Sequence, residues 1–369
     1  MNASGTPTPT NTPTCSPPRT PPPGSPRRAA VASANRSAVD GRQEASEAIS
    51  HCFDQGPIVE SRSWKGDHLF LLGCVRGSAE FVSARHEESM KGCFFLMESR
   101  RVTVPGGSLF TSSGGDPSRP AALLVHSGIA HSQMWLPLMR AVGDEFFTVS
   151  YDCRCFGRST TSLDGTYSDM ADLAAVLDAY GLDSAVLVGE SRGARLAVDF
   201  ALTRPQRVRG LFLLAPDIGG FDAPVADDER ELIEAIGAAE NAWEVEDIIA
   251  NEVRLLVDGP TRGQAEGRQA VRTSVIEMSR VNYAQQKDTP DFTSVEPAAA
   301  TRLSDVTCPV RVLIGEADTA GTKAMAAALE NVIPKSSLLR VPDTAHALTL
   351  ERPEVVEREL RSWLRDFRR

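Results

Sequence analysis

The sequence predicts an α/β protein, a mostly parallel sheet with helices on both faces. Three observations carry this. Short apolar runs of strand length, among them Ala121–Val125, Phe146–Tyr151, Val208–Leu214 and Val310–Gly315, alternate with stretches of helical periodicity. Polar, often glycine-containing loops follow these runs, at the strand ends where parallel sheets place their sites. One transition is the sharpest: Ala185-Val-Leu-Val-Gly189-Glu190-Ser191-Arg192-Gly193 runs into Leu196, Ala197, Phe200 and Ala201 at helix spacing, which is strand, tight turn, helix.

At 369 residues the chain can hold one large domain or two ordinary ones, and 41% hydrophobic content can fill a core. A net charge of -10 and a pI of about 5.2 argue against nucleic acid as the main partner, which would need a basic face. The longest apolar stretches outside the strand runs, Leu69–Val75 and Cys93–Met97, are too short for a membrane span. The seven cysteines form no Cys-x-x-Cys pair, and their odd count fits a reduced, cytoplasmic chain better than a disulfide framework. Oligomeric state is not readable.

In chain order, residues 1–40 are rich in Pro, Ser and Thr and nearly devoid of large apolar side chains, so a disordered tail is expected. Arg19, Arg27, Arg28 and Arg36 with no acid before Asp40 would also suit an organellar transit peptide, but the proline density argues against an amphipathic targeting helix. Residues 41–100 mix short apolar pieces with charges. They form an extension of uncertain structure, and no function is assigned to its His51, His68 and His86.

From residue 101 the pattern sharpens. Arg101–Val104 and Ser108–Ser112 read as a hairpin turning at Gly106-Gly107, ahead of the strand Ala121–Val125 and the loop His126-Ser127-Gly128-Ile129-Ala130. A helix over Met134–Val142 leads to the strand Phe146–Tyr151 and the polar loop from Asp152 to Ser159, and a helix over 169–180 precedes the elbow. Residues 221–300 break the alternation with helices predicted at Asp228–Glu240, Glu244–Val257 and Gln269–Tyr283, an all-helical insertion expected to act as a lid. Alternation then resumes: strand Val310–Gly315, helix 322–332, strand Ser337–Val341, helix Pro353–Phe367.

A serine hydroxyl is a weak nucleophile and needs an exposed turn and a base beside it. Gly189 and Gly193 allow the close approach that such a turn demands, and the helix start points the backbone N–H of Arg192 at a developing oxyanion. The candidate nucleophile is Ser191. His346, in the loop after the last strand, is the candidate base; His126 and His131 are rivals tied to the loop after the first parallel strand. Asp318 is the candidate orienting acid, with Glu316, Asp343 and especially Asp217 as alternatives. Glu190 and Arg192 could influence an acidic substrate or simply pair with neighbours.

The order Ser191, Asp318, His346 with a Gly-x-Ser-x-Gly elbow resembles the α/β-hydrolase fold superfamily from residue 101 to the C-terminus. In that superfamily the loop after the third strand usually reads His-Gly-x, and its third residue donates a backbone N–H to the oxyanion. The resemblance therefore implies Gly128 for that role, by its spacing to Trp135, or Ile129 if the loop is bulged. The family's Asp-x-Arg-Gly-x-Gly-x-Ser loop is matched at Asp152 to Ser159, with Cys155 where glycine is usual. Within the superfamily, the strings around Met134-Trp135 and from Val341 to Pro353 are similar to the 3-oxoadipate enol-lactonase type.

The implied chemistry is two-step acyl transfer on an ester or lactone of a small, partly apolar substrate. Serine at 191 argues against the epoxide hydrolases and dehalogenases of the same fold, which use a carboxylate. No cofactor and no metal is implied, since no clustered metal ligands and no Gly-x-Gly-x-x-Gly loop occur. Carbon–carbon bond hydrolysis or a cofactor-free oxygen reaction is an alternative on the same triad, and a ligand-binding protein with a vestigial triad is a third.

Overall fold

A computed structural model describes residues 97–162, 164–263, 268–287 and 293–367. The expectations for residues 1–40 and for nearly all of 41–100 lie outside the described residues.

The described strands form one sheet: β1 (Met97–Val104), β2 (Gly107–Gly114), β3 (Ala121–Val125), β4 (Phe147–Tyr151), β5 (Thr160–Thr161), β6 (Ala185–Glu190), β7 (Val208–Leu214), β8 (Val310–Gly315) and β9 (Ser336–Val341). Their order is β1-β2-β4-β3-β6-β7-β8-β9, with β5 against β2. β2 pairs antiparallel with β1, β4 and β5, and every pair from β4 through β9 is parallel. The chain leaves β3 toward β4 on one side and later returns to place β6 on the other. The topological switch point, where open α/β sheets bind ligands, is thus between β3 and β6. The ends of those two strands carry His126 and Ser191.

Burial explains the strand pattern. Every residue of β3, β4 and β6 is buried, as expected of central strands covered on both faces. The hairpin is longer than expected, because β1 begins at Met97 and β2 runs from Gly107 through the buried Ser113 to Gly114. The helices are α1 (Leu136–Val142), α2 (Asp169–Ala179), α3 (Arg192–Thr203), α4 (Asp227–Ala242), α5 (Val245–Glu252), α6 (Gln269–Gln286), α7 (Ala320–Val332), α8 (Leu348–Glu351) and α9 (Pro353–Leu364). α9 buries Val356, Leu360 and Leu364, one turn apart, against the sheet's core, and each such large side chain contributes about 1.5–3 kcal/mol.

Two helices depart from expectation. The one expected from Met134 opens as a 3-10 turn over Ser132–Trp135, and the α-helix starts where Pro137 fits its first turn. The one expected to continue to Val257 rewinds as a π-turn over Val253–Asp258. No described helix is long and apolar enough to cross a membrane.

Candidate active site

Ser191 is the residue between β6 and α3, and its backbone is in the left-handed region, φ 55 and ψ -118. Such a conformation costs a non-glycine residue about 1–3 kcal/mol. The surroundings enforce it. Ser191 donates its N–H to Leu214 O on β7 at 2.9 Å, and the flanking glycines have no room for a side chain. A Cβ on Gly189 would lie 2.4 Å from Gly193 O, and one on Gly193 would lie 2.0 Å from Val125 O. Strand, helix and the end of β3 therefore converge only with glycine at these positions, leaving the Ser191 side chain partly exposed at the switch point.

The candidate base and acid come together at the ends of β8 and β9, beyond β7 on the same edge of the sheet. Asp318 follows β8 and is buried; His346 follows β9 and is also buried. Nδ1 of His346 lies 3.0 Å from both carboxylate oxygens of Asp318. A hydrogen on Nδ1 is the one that satisfies this carboxylate, so Nε2 is the nitrogen left to accept. Gly315 permits the approach of the two loops, since a Cβ there would meet Thr344 O at 2.2 Å. Burial opposes charge on His346, but the Asp318 charge and hydrogen bond, helped by Glu190, outweigh it and hold the imidazole above its ordinary value.

The rival residues are occupied elsewhere. Asp217 faces Arg195 at 3.6 Å, Asp343 is exposed beside Arg262, and Glu316 is exposed. His126 is fully buried: its Nδ1 donates to Ser127 O at 2.8 Å, and its Nε2 accepts the Cys153 N–H at 3.0 Å. A ring clamped between an acceptor and a donor is neutral, and burial pushes its pKa down to about 4. His126 is thus a brace between the loops after β3 and β4. His131 caps the turn at Ser132, and burial lowers its pKa too.

The Asp152–Ser159 loop is built around Asp152, which accepts from Ser132 N–H and Arg158 N–H at 2.8 Å each. Cys155, where the family pattern has glycine, keeps the left-handed backbone at φ 64. Gly128 is exposed with open space around it, whereas Ile129 is buried. The carbonyls of Ile129 and Ala130 are held by α6: Ser279 Oγ donates to Ile129 O at 3.1 Å, and Asn282 Nδ2 donates to Ala130 O at 3.0 Å.

A model of the Alpha/beta hydrolase family matches residues 122–359, the span from β3 into α9. The chain belongs to this family. Among relatives of this alpha/beta hydrolase, carboxylesterase YbfK from Bacillus subtilis is 26% identical over 302 residues, covering 79% of this chain and 96% of that one. A 2-(acetamidomethylene)succinate hydrolase from Mesorhizobium japonicum is 28% identical over 279 residues, covering 72% and 95%. The crystal structure of the Bacillus subtilis carboxylesterase CesB (YbfK) superposes with a TM-score of 0.57 at 22% identity, over 73% of this chain and 91% of that one.

Beside the elbow of this hydrolase, a cavity of 520 Å³ lies between α3 and the helical insertion, with Phe156, Tyr167, Arg192, Trp243 and Tyr283 in its wall. It begins one residue from Ser191. The Arg192 side chain is engaged there, with Nη2 3.0 Å from both oxygens of Asp169. Several supports of the site are not evident from the sequence. Ser279 and Asn282 are buried polar residues three apart on the core face of α6, a break in an apolar stripe that was open to view. The π-turn left no sequence signal, and Thr349 and Arg262 are recognisable only by their contacts.

Proposed function

We propose that the protein is a serine hydrolase that cleaves a carboxylic ester or lactone of a small, partly apolar substrate. The observation that carries the reading is the 3.0 Å contact of His346 Nδ1 with Asp318, at the edge of the sheet that also carries the strained serine elbow. In this reading Ser191 Oγ attacks the carbonyl and His346 Nε2 takes its proton. Asp318 keeps the tautomer and stabilises the imidazolium, and His346 returns the proton to the leaving group. The N–H groups of Arg192 and Gly128 hold the oxyanion, and water then releases the acid by the same steps in reverse. The helices from α4 to α6 serve as the lid, and the cavity next to Arg192 receives part of the substrate. The names of the Bacillus subtilis and Mesorhizobium japonicum relatives, a carboxylesterase and a hydrolase, support the reading.

Turnover of p-nitrophenyl acetate and butyrate by the purified protein and by Ser191→Ala tests it. Hydrolysis that disappears in a folded Ser191→Ala variant is the expected result. Ester turnover that survives the substitution would overturn the assignment of Ser191. A serine that reacts with a fluorophosphonate while no ester is turned over would move the chemistry to carbon–carbon bond hydrolysis.

A further inference from the structure

Glu190, the last residue of β6 and the neighbour of Ser191, is a carboxyl group in the interior, 1% exposed. Its Oε2 accepts two hydrogen bonds from one residue, Thr349 N–H at 3.1 Å and Thr349 Oγ–H at 2.5 Å. Thr349 lies three residues beyond His346, and a tight turn joins them, with Leu348 N–H donating to His346 O at 2.9 Å. A short path therefore runs from the nucleophile through the Glu190 side chain to the loop that holds the base. The charged groups facing Glu190 are His346 from the loop after β9 and Asp318 from the loop after β8.

Burying a carboxyl group costs several kcal/mol if it is to carry charge, and a neutral amide would accept from Thr349 just as well. At this place the charge can act as a further counter-charge for His346, which Asp318 from the loop after β8 and Asp217 from the loop after β7 also face. We propose that Glu190 is a positioning residue for His346, fixing the base to the nucleophile's strand and adding negative charge beside the imidazolium that forms as Ser191 is deprotonated. The inference rests on the serine-hydrolase reading above.

Consistent with this geometry, burial pushes the Glu190 carboxyl up to about 7, against the pull of Thr349 and His346. The group changes charge in the range where His346 must work. An ionised Glu190 raises the imidazole pKa, so removing that charge lowers it, and the pH at which activity switches on moves down.

The test compares wild type, Glu190→Gln, Glu190→Asp and Thr349→Val by p-nitrophenyl butyrate kinetics from about pH 5 to about pH 9, with fluorophosphonate labelling of each. In Glu190→Gln the expected result is kcat lowered about 10-fold, KM within about twofold, and the acid limb of kcat moved down by about half a pH unit or more. Glu190→Asp, which keeps the charge, returns the limb toward its wild-type place. A folded Glu190→Gln with an unmoved limb overturns the inference, whether or not its kcat falls, because a packing role alone leaves the limb where it was. Should Glu190→Gln not fold, Thr349→Val carries the test: it removes the hydroxyl donor and raises the Glu190 pKa, so a downward limb supports the inference and an unchanged one overturns it. A wild type with neither labelling nor turnover overturns the hydrolase reading and this inference together; a labelled wild type with an unmoved limb in the variant overturns the inference alone.

Discussion

The backbone N–H of His346 donates to Leu256 O at 3.0 Å, so the histidine loop and the π-turn of the helical insertion are one hydrogen-bonded unit. Winding as a π-helix frees carbonyls from the usual ladder, and insertions of this kind recur at functional sites. Arg262 reinforces the joint. It donates to Val257 O at 3.0 Å and Asp258 O at 2.6 Å, and to Glu351 Oε1 at 2.8 Å, while Glu351 Oε2 accepts the Ala345 N–H at 2.9 Å.

Replacing Arg262 with Ala leaves Glu351 buried without its counter-charge and loosens the turn that holds His346. The expected effect is a loss of about 2–4 kcal/mol of stability and a kcat about 10-fold lower. Thermal melting and steady-state kinetics on the same preparation check both numbers. A variant with full kcat would mean that the insertion does not steady the base.

Gly193→Ala puts a Cβ 2.0 Å from Val125 O, backbone against backbone, with no flexible side chain to yield. The elbow must open or the helix must shift, and we expect a cost above about 3 kcal/mol together with loss of activity. Gly128→Ala is the matched control, since a Cβ there meets nothing within 4 Å. Chemical denaturation of the pair separates elbow packing from a general intolerance of glycine replacement.

His126 is held neutral between Ser127 O and Cys153 N–H, and burial takes its pKa down to about 4 from the ordinary imidazole value of 6.5. The sign follows. Below about 6.5 the unfolded chain takes up a proton that the folded imidazole refuses, so this group's contribution to stability is complete above that value. It declines as the pH falls through about 4. Nitrogen-edited NMR should show the Nδ1–H tautomer persisting to about pH 4, and urea unfolding should show less dependence on pH from 4 to 6.5 in His126→Asn than in wild type.

For His346 the direction is opposite, because Asp318 and Glu190 favour its charged form over the cost of burial. A general base works only when deprotonated, so kcat/KM should rise with pH to a half-maximum above the ordinary imidazole value of 6.5. Asp318→Asn should move that midpoint down while sharply reducing the plateau. A midpoint below 6.5 in wild type would contradict the electrostatic account of the site.

Much of this arrangement was legible because parallel strands buried on both faces read as apolar runs, and the candidates Ser191 and Asp318 each follow such a run, while His346 follows the edge strand β9, of which only Val341 is buried. The bounds of β8 were readable to the residue, since Pro309 and Glu316 bracket an unbroken apolar stretch apart from Arg311. The sequence stops the second hairpin strand at Ser112 because Ser113 and Gly114 look like loop residues, yet the ladder to β1 and β4 pairs their backbone. Contacts between distant segments were not legible at all. Glu190 with Thr349, Asn282 with Ala130, and Arg262 with Glu351 depend on how the insertion and the histidine loop fold over the sheet, and no local pattern encodes that.

The central claim is that Ser191 is made reactive by His346. Peptide mapping by mass spectrometry after brief exposure to a fluorophosphonate tests it most directly. The account predicts a single adduct on Ser191, formed at least about 10³-fold more slowly in a folded His346→Ala variant. An adduct at another residue, or undiminished labelling of Ser191 without the imidazole, would contradict it.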